Sequence, residues 1–348
     1  IFGLIDVVGL DLIPSVVNSL LKNIPKNDYY HSIHQTPEIF KYMINNKLIG
    51  RKGDGGFYKL INQNNNKIKH SLNLNTRKYS KSSKPEIQNL NIINKNLKIY
   101  LDQDDKFSKY AWDVLSDVLY YTLCIAEEIA YDIVSIDEAM KKGFGWKLGP
   151  FEIIDKIGVS FLKEKLLNSK KNIPLLLKNL GNNSFYKIKE NEIQYFDFKT
   201  KDYKILKRSA GILLLSDVKN TTKPIKEINF ASLWDIGDQI TVFEIHSKSN
   251  TFDSTVLEFL NQCIDIVSSS YKGMIIYNEG DFFSAGANLG EALFLGNIGL
   301  ETEVDKNILN KGQEVYSKLK YSNFPVISAP FNIALGGGCE IILHSDYV

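Results

Sequence analysis

Apolar positions recur at helical spacing along the first 60 residues. In VVNSLLKNI (16–24) and PEIFKYMINNKLI (37–49) they fall three or four apart, on one helix face, and Pro37 stands where a helix opens. GRKGDGGFYKL (50–60) then places four glycines in seven residues, which predicts a tight loop before Phe57 and Tyr58. The period is lost over 61–95, where Asn, Lys and Ser dominate, and this stretch reads as a linker or a loosely packed strap. Helical spacing returns over 108–170. AWDVLSDVLYYTLCIAEEIAYDIV (111–134) predicts one long helix. SIDEAMKKGF (135–144) predicts a second, capped by Ser135 or Asp137, and GWKLGPFEIIDKIGVSFLKEKLL (145–167) a third with Pro150 in its first turn. GILLLSDV (211–218) is a short strand candidate. From about residue 230 the pattern alternates. QITVFEIHS, KGMIIYNEG and FPVISAPF read as strands, and STVLEFLNQCIDIVSSS and EVDKNILNKGQEVYSKLKYS as helices, which predicts βαβ units.

The helical part echoes itself. FGLIDVVGLD (2–11) matches FEIIDKIGVS (151–160) with Asp6 and Asp155 aligned, and GFYKL (56–60) matches SFYKI (184–188). Two related helical units in tandem are expected, and the recurring aspartates suggest a structural hydrogen-bonding role.

Composition narrows the function classes. The 348 residues are 44% hydrophobic and 24% charged with a net charge of +2, so bulk electrostatics argue for neither nucleic acid nor an acidic membrane surface. Three cysteines, Cys124, Cys263 and Cys339, form no C-x-x-C spacing, which supports neither a zinc site nor a disulfide framework and fits a reducing cytoplasm. No apolar run reaches the ~18 residues of a spanning helix. The first residue is Ile1, so the amino end is expected to be processed, non-standard or cut from something longer.

Two loops carry candidate chemistry. NEGDFFSAGANLG (278–290) and NIALGGGCE (332–340) each put small residues where a strand ends and a helix begins. Small residues let a ligand approach the backbone, and two N–H groups aimed at one oxygen make an oxyanion hole. Glu340, three residues past Gly337, would sit over the same opening as general acid or base. Two ordinary strand-to-helix turns are the alternative that spacing leaves open.

FSAGANL and FPVISAPFNIALGGGCE resemble the enoyl-CoA hydratase (crotonase) family, whose pattern runs A-G-A-[DN] and then K-P-V-I-A-A-x-x-G-x-A-L-G-G-G-C-E. The resemblance implies that the backbone N–H groups of Ala287 and Gly337 hold a thioester oxygen. It makes Glu340 one of two glutamates that add water across an enoyl double bond. IHSKSN resembles the family's coenzyme A loop, which makes Lys248 and Ala285 candidate coenzyme A contacts, with a solvated lysine the plain alternative. Asn332 stands where the family has Gly, and Asn tolerates the left-handed region better than most residues. GRKGDGGFYKL and DEAMKKGFGWKLGPFEIIDKIGV resemble the C-terminal domain of 3-hydroxyacyl-CoA dehydrogenase, with Lys147 in a position usually held by Pro.

The expected architecture is therefore α-helical dehydrogenase C-terminal-type domains plus a truncated α/β crotonase-like domain of ββα repeats. The expected divisions are a partial first domain at 1–60, a linker at 61–107, a second dehydrogenase-like domain at 108–200, a connector at 201–229 and the N-terminal part of a crotonase domain at 230–348. This order resembles bifunctional β-oxidation enzymes acting on acyl-CoA thioesters. The second family glutamate, the catalytic His–Glu pair and the NAD fingerprint all fall outside the chain, so it is expected to be a fragment, inactive alone. NAD would act only through a missing Rossmann domain, no other cofactor is expected, and the substrate would be a coenzyme A thioester. Neighbouring chains supplying the missing domains, and a homo-oligomer in the complete family, are expected partners. A non-catalytic acyl-CoA-binding or dimerisation module and a decayed reading frame are the alternatives.

Other motifs carry less. GFGWKLG (143–149) is G-x-G-x-x-x-G but follows a predicted helix, the wrong context for a dinucleotide. His31 and His34 form H-x-x-H without a third ligand, and His246 and His344 lack a nucleophile and an orienting group.

Overall fold

The computed structural model describes residues 1–63, 66–83, 92–93 and 96–348. Internal contacts divide the chain into two units. One holds Ile1–Lys187 with Gln194–Ile205, and the other holds Ile188–Ile193 with Leu206–Val348.

The helical part of the chain repeats one plan twice. Helices Phe2–Val8, Leu12–Asn23, Tyr30–Ile33 and Glu38–Asn45 precede an antiparallel meander of β1 (Tyr58–Gln63), β2 (Asn66–Leu72) and β3 (Tyr79–Lys81). Helices Pro150–Ile157, Val159–Asn168 and Leu175–Leu180 precede a second meander of β4 (Tyr186–Lys189), β5 (Glu192–Asp197) and β6 (Asp202–Ile205).

The echo in the sequence is an echo in contacts. The Asp6 carboxylate accepts the backbone N–H groups of Phe57 and Tyr58, each at 2.8 Å, and Asp155 accepts those of Phe185 and Tyr186, each at 2.7 Å. Phe2 packs on Phe57 with ring centroids 4.5 Å apart, and Phe151 on Phe185 at 4.7 Å. Tyr79 donates its hydroxyl to the Gly56 carbonyl, as Tyr203 does to that of Ser184. Gly9 and Gly158 end the paired helices with φ of 105° and 92°, a turn that a side chain would strain.

The copies differ in burial. Phe151, Ile154, Leu162 and Phe185 are fully buried with Leu119, Leu123 and Ile133 of the preceding helices Lys106–Ile129 and Ile133–Phe144. Each such side chain removed from water contributes about 1.5–3 kcal/mol. In the first copy the core is Leu10, Met43, Phe57 and Leu72, and Leu4, Val7 and Val16 are exposed.

Several elements depart from the pattern reading. The helix expected over 111–134 runs from Lys106 to Ile129 and a new one starts at Ile133, because Asp132 turns extended and accepts the Ser135 N–H as its cap. Neither Ser135 nor Asp137 is that cap. Asp137 is instead buried within the helix. The stretch 61–107, read as a linker, carries most of the first meander and the helix Leu97–Leu101. Its strands have one wet face and an Asn- and Lys-rich composition, which hid the alternation. The rest of that stretch, 64–65, 84–91 and 94–95, lies outside the described residues. GILLLSDV is not a strand. Leu215–Thr221 is a helix and the residues before it are irregular.

In the second unit one sheet runs in the order β13-β11-β9-β8-β7, where β7 is Lys226–Ile228, β8 Ala231–Asp235, β9 Ile240–Ile245, β11 Gly273–Ile276 and β13 Val326–Ser328. β9, β11 and β13 are parallel, joined by helices Ser254–Ser270 and Lys311–Lys320, as alternation predicts. These helices join Phe243, Phe259, Leu260, Ile264, Val315 and Leu319 in one core. Helix Leu215–Thr221 brings Leu215 against Trp234 and Val242 in a smaller cluster. β8 gave no alternating signal because Ala231, Ser232, Leu233 and Trp234 are all buried. No single helix among the described residues is long and apolar enough to cross a membrane.

Candidate functional site

Both small-residue loops lie in the second unit, and a short parallel ladder holds the first of them. β10 (Thr251–Phe252) pairs with β12 (Gly286–Ala287), Phe252 opposite Ala287. The Asn288 N–H meets the Phe252 carbonyl at 2.7 Å, so the Ala287 N–H, one residue earlier, faces away from that ladder.

The second loop is stitched to the first through Ser284. Its N–H donates to the Ile333 carbonyl, its own carbonyl accepts the Leu335 N–H at 3.0 Å, and its hydroxyl donates to the Asn250 carbonyl at 2.6 Å. Asn250 and Asn278, both buried, anchor the loop between them. Asn250 donates to the carbonyls of Glu279 and Phe282, and Asn278 to that of Phe283 while accepting the Ile245 N–H.

This approach requires glycine at two places. A Cβ on Gly286, at φ +88°, would lie 2.6 Å from the Leu335 carbonyl oxygen, and one on Gly338 would lie 2.6 Å from the Ser284 Cβ. Gly337 opens the helix Gly337–Leu343, so its N–H has no acceptor within that helix. A methyl group built on Gly337 would lie 3.6 Å from the Ala287 nitrogen and 3.3 Å from the Tyr316 hydroxyl. The structure thus brings together Ala287 and Gly337 as sequence reasoning expected. Glu340 stands one turn along the same helix, exposed, its N–H bonded to the Gly336 carbonyl. Asn332 does take the left-handed conformation, φ 60°, and its side chain donates to the Asp281 carbonyl.

Lys248 is exposed on a one-turn helix, Lys248–Asn250, in which Ser249 has φ 61°. The Ser249 carbonyl takes the Ala285 N–H at 3.1 Å, so Lys248 and Ala285 flank one junction and the Ala285 amide is already committed. Tyr316, Ser284, Asn250 and Asn278 were missed by sequence reasoning. They act through contacts across 21 to 34 positions or through backbone atoms, neither of which a local pattern encodes.

The residues at 143–149 do not fit a dinucleotide. Gly145 ends one helix and Gly149 begins the next, with no strand before them. A Cβ on Gly149 would lie 2.3 Å from the Asp137 carboxyl group, and that group accepts the N–H groups of Phe151 and Glu152. The anion-binding end of this helix is therefore filled by the protein's own carboxylate. Burial pushes Asp137 up to about 7 and Asp155 up to about 6, against the N–H groups that favour their ionised forms. Of the remaining histidines, His31 meets the Pro25 carbonyl, His34 meets Tyr30 and Thr36, and His246 meets Ser232. No group of three metal-ligating side chains occurs among the described residues.

Comparison with known proteins locates both halves. The pattern of the 3-hydroxyacyl-CoA dehydrogenase C-terminal domain matches residues 114–174, and that of enoyl-CoA hydratase/isomerase matches residues 236–348. The chain is 33% identical to a probable 3-hydroxyacyl-CoA dehydrogenase of Bacillus subtilis, over 98% of its own length and 43% of that protein. It is also 33% identical to a putative fatty acid oxidation complex trifunctional enzyme of Rickettsia felis, over 100% of its length and 45% of that protein. The chain thus spans under half the length of the curated relatives it matches. An enoyl-CoA hydratase structure from Bacillus anthracis aligns with 34% of the chain and 46% of its own at 23% identity and a TM-score of 0.31. Residues 114–174 thus match the 3-hydroxyacyl-CoA dehydrogenase C-terminal domain family and residues 236–348 the enoyl-CoA hydratase/isomerase family, within one chain.

Proposed function

We propose that this chain is the middle portion of a cytoplasmic fatty-acid β-oxidation enzyme with dehydrogenase and hydratase activities on acyl-CoA thioesters. The close approach of the Ala287 and Gly337 backbones, with Glu340 one turn along the same helix, carries this reading. Two N–H groups on a thioester oxygen draw electrons from the conjugated double bond and make the β-carbon electrophilic. Glu340 then takes a proton from water as it adds, or returns one to the α-carbon, paired with a second acid supplied by residues beyond these 348. Lys248, exposed beside the first loop, meets a phosphate of coenzyme A, and Ala285 lies along the same path. The helical repeats flank an acyl-CoA cleft completed by a nicotinamide-binding domain outside these residues, and the complete enzyme is an oligomer.

The test starts from the native protein, captured with an antibody to residues 108–200. A mass near twice 39.6 kDa, with hydration of crotonyl-CoA and NAD-dependent oxidation of 3-hydroxybutyryl-CoA, is the expected result. A protein of native mass that binds crotonyl-CoA yet performs neither reaction would identify a binding module instead.

A further inference from the structure

We infer that Tyr316 is a positioning residue of the two-amide site, a side chain that touches both Gly337 and Phe252, the ladder partner of Ala287. The inference rests on the function proposed above and adds a role within it.

Tyr316 lies on helix Lys311–Lys320, outside both loops, and is 5% exposed. Its hydroxyl donates to the Gly337 carbonyl at 3.1 Å. Its ring meets that of Phe252 edge to face, centroids 6.1 Å apart, and Phe252 is the ladder partner of Ala287. On another side the ring meets that of His344 at 5.6 Å, and His344 bonds the Glu340 carbonyl through Nδ1 at 2.7 Å. One phenol therefore touches the amide-bearing residue of one loop, the partner of the other, and the neighbour of the acid.

The need for such a contact follows from the glycines. Gly336, Gly337 and Gly338 have no side chains to limit their torsions, so contacts around them set the Gly337 N–H: the Gly336 carbonyl of the same peptide accepts the Cys339 and Glu340 N–H groups, and the next peptide meets Tyr316. An N–H misdirected by a few tenths of an ångström still binds a ligand oxygen but polarises it less. A hydrogen bond to the Gly337 carbonyl fixes the peptide on one side of that residue, and packing on Phe252 sets its distance from Ala287. Burial and the nearby Glu340 carboxylate both raise the phenol above its ordinary range, so the hydroxyl keeps its proton as a donor.

The test uses the native-length protein and a thioester conjugated to an amino-substituted aryl ring, whose absorption moves to the red when its carbonyl is polarised. Tyr316→Phe keeps the ring and removes the donor. The expected result is a red shift cut to about half, a kcat for hydration lowered about 10- to 100-fold, and KM changed less than about threefold. Tyr316→Trp, which keeps a ring and a donor, is expected to retain most of the shift. A folded Tyr316→Phe protein with the full shift would overturn the role, and so would a folded Tyr316→Trp protein with none. Should the phenylalanine variant not fold, the tryptophan variant decides alone. A wild-type protein that shifts nothing overturns the proposed function itself, whereas a wild-type shift left unchanged by Tyr316→Phe sinks only the role of Tyr316.

Discussion

Single residues set the balance in both units. Asp155 accepts two backbone N–H groups, and Asn could accept only one while turning an amide toward the other. Asp155→Asn is expected to cost about 1–3 kcal/mol, read as a lower urea midpoint from the fluorescence of Trp112 and Trp146. Those two tryptophans also report a pH effect. Burial holds Asp137 up at about 7 and Asp155 up at about 6 in the folded chain, against an ordinary aspartate value near ~4 when unfolded. The folded state holds these protons more tightly, so their contribution is complete below pH ~4 and is lost as pH rises through ~6 to ~7. The urea midpoint should therefore fall between about pH 4 and about pH 7 and level off above, and Asp137→Asn should flatten that slope. At the site, Gly286→Ala forces a methyl group against the Leu335 carbonyl oxygen. Hydration by the native-length protein should drop by about 100-fold or more.

Among the elements, helix Leu215–Thr221 is tied to its surroundings by one charged side chain. Its Lys219 reaches Glu244 at 2.7 Å and Glu279 at 3.0 Å, and Glu244, 1% exposed, also accepts the Trp234 indole N–H. Lys219→Met leaves a buried carboxylate unpaired, at a cost of about 3–5 kcal/mol. Trp234 fluorescence should show the second unit unfolding at lower urea while Trp112 and Trp146 are unmoved. This helix also marks where the sequence was hardest to read. LLLSDVK has the branched apolar run of a buried strand, and only its docking on Trp234 and Val242 decides for a helix. β7 and β8 went unseen for related reasons, one being three residues long and the other covered on both faces. The two loops were legible because glycine and alanine are demanded by backbone approach and leave a mark in the sequence itself. Tyr316 left none, since a tyrosine on an amphipathic helix looks like any core residue until its partner is known.

At the level of the molecule, the chain passes from residue 205 of one unit into the other through an irregular stretch. Residues 206–214 form no helix or strand, and Ile212 and Leu213 are each 53% exposed. Brief proteolysis is expected to cut there first and to release two folded fragments, identified by mass and by their separate tryptophan signals. The first fragment carries the same contacts twice: a helical aspartate on a Phe-Tyr pair, and a tyrosine hydroxyl returning to the carbonyl just before that pair. Asp6 and Tyr79 lie 73 positions apart and Asp155 and Tyr203 only 48, yet the contacts are the same. A lattice that closes within one short stretch of chain survives gene duplication whole. Each daughter copy keeps its own closure, so insertions can lengthen one without disturbing the other. Selection is then free to reshape what surrounds each copy, and around the second stand the helices Lys106–Ile129 and Ile133–Phe144.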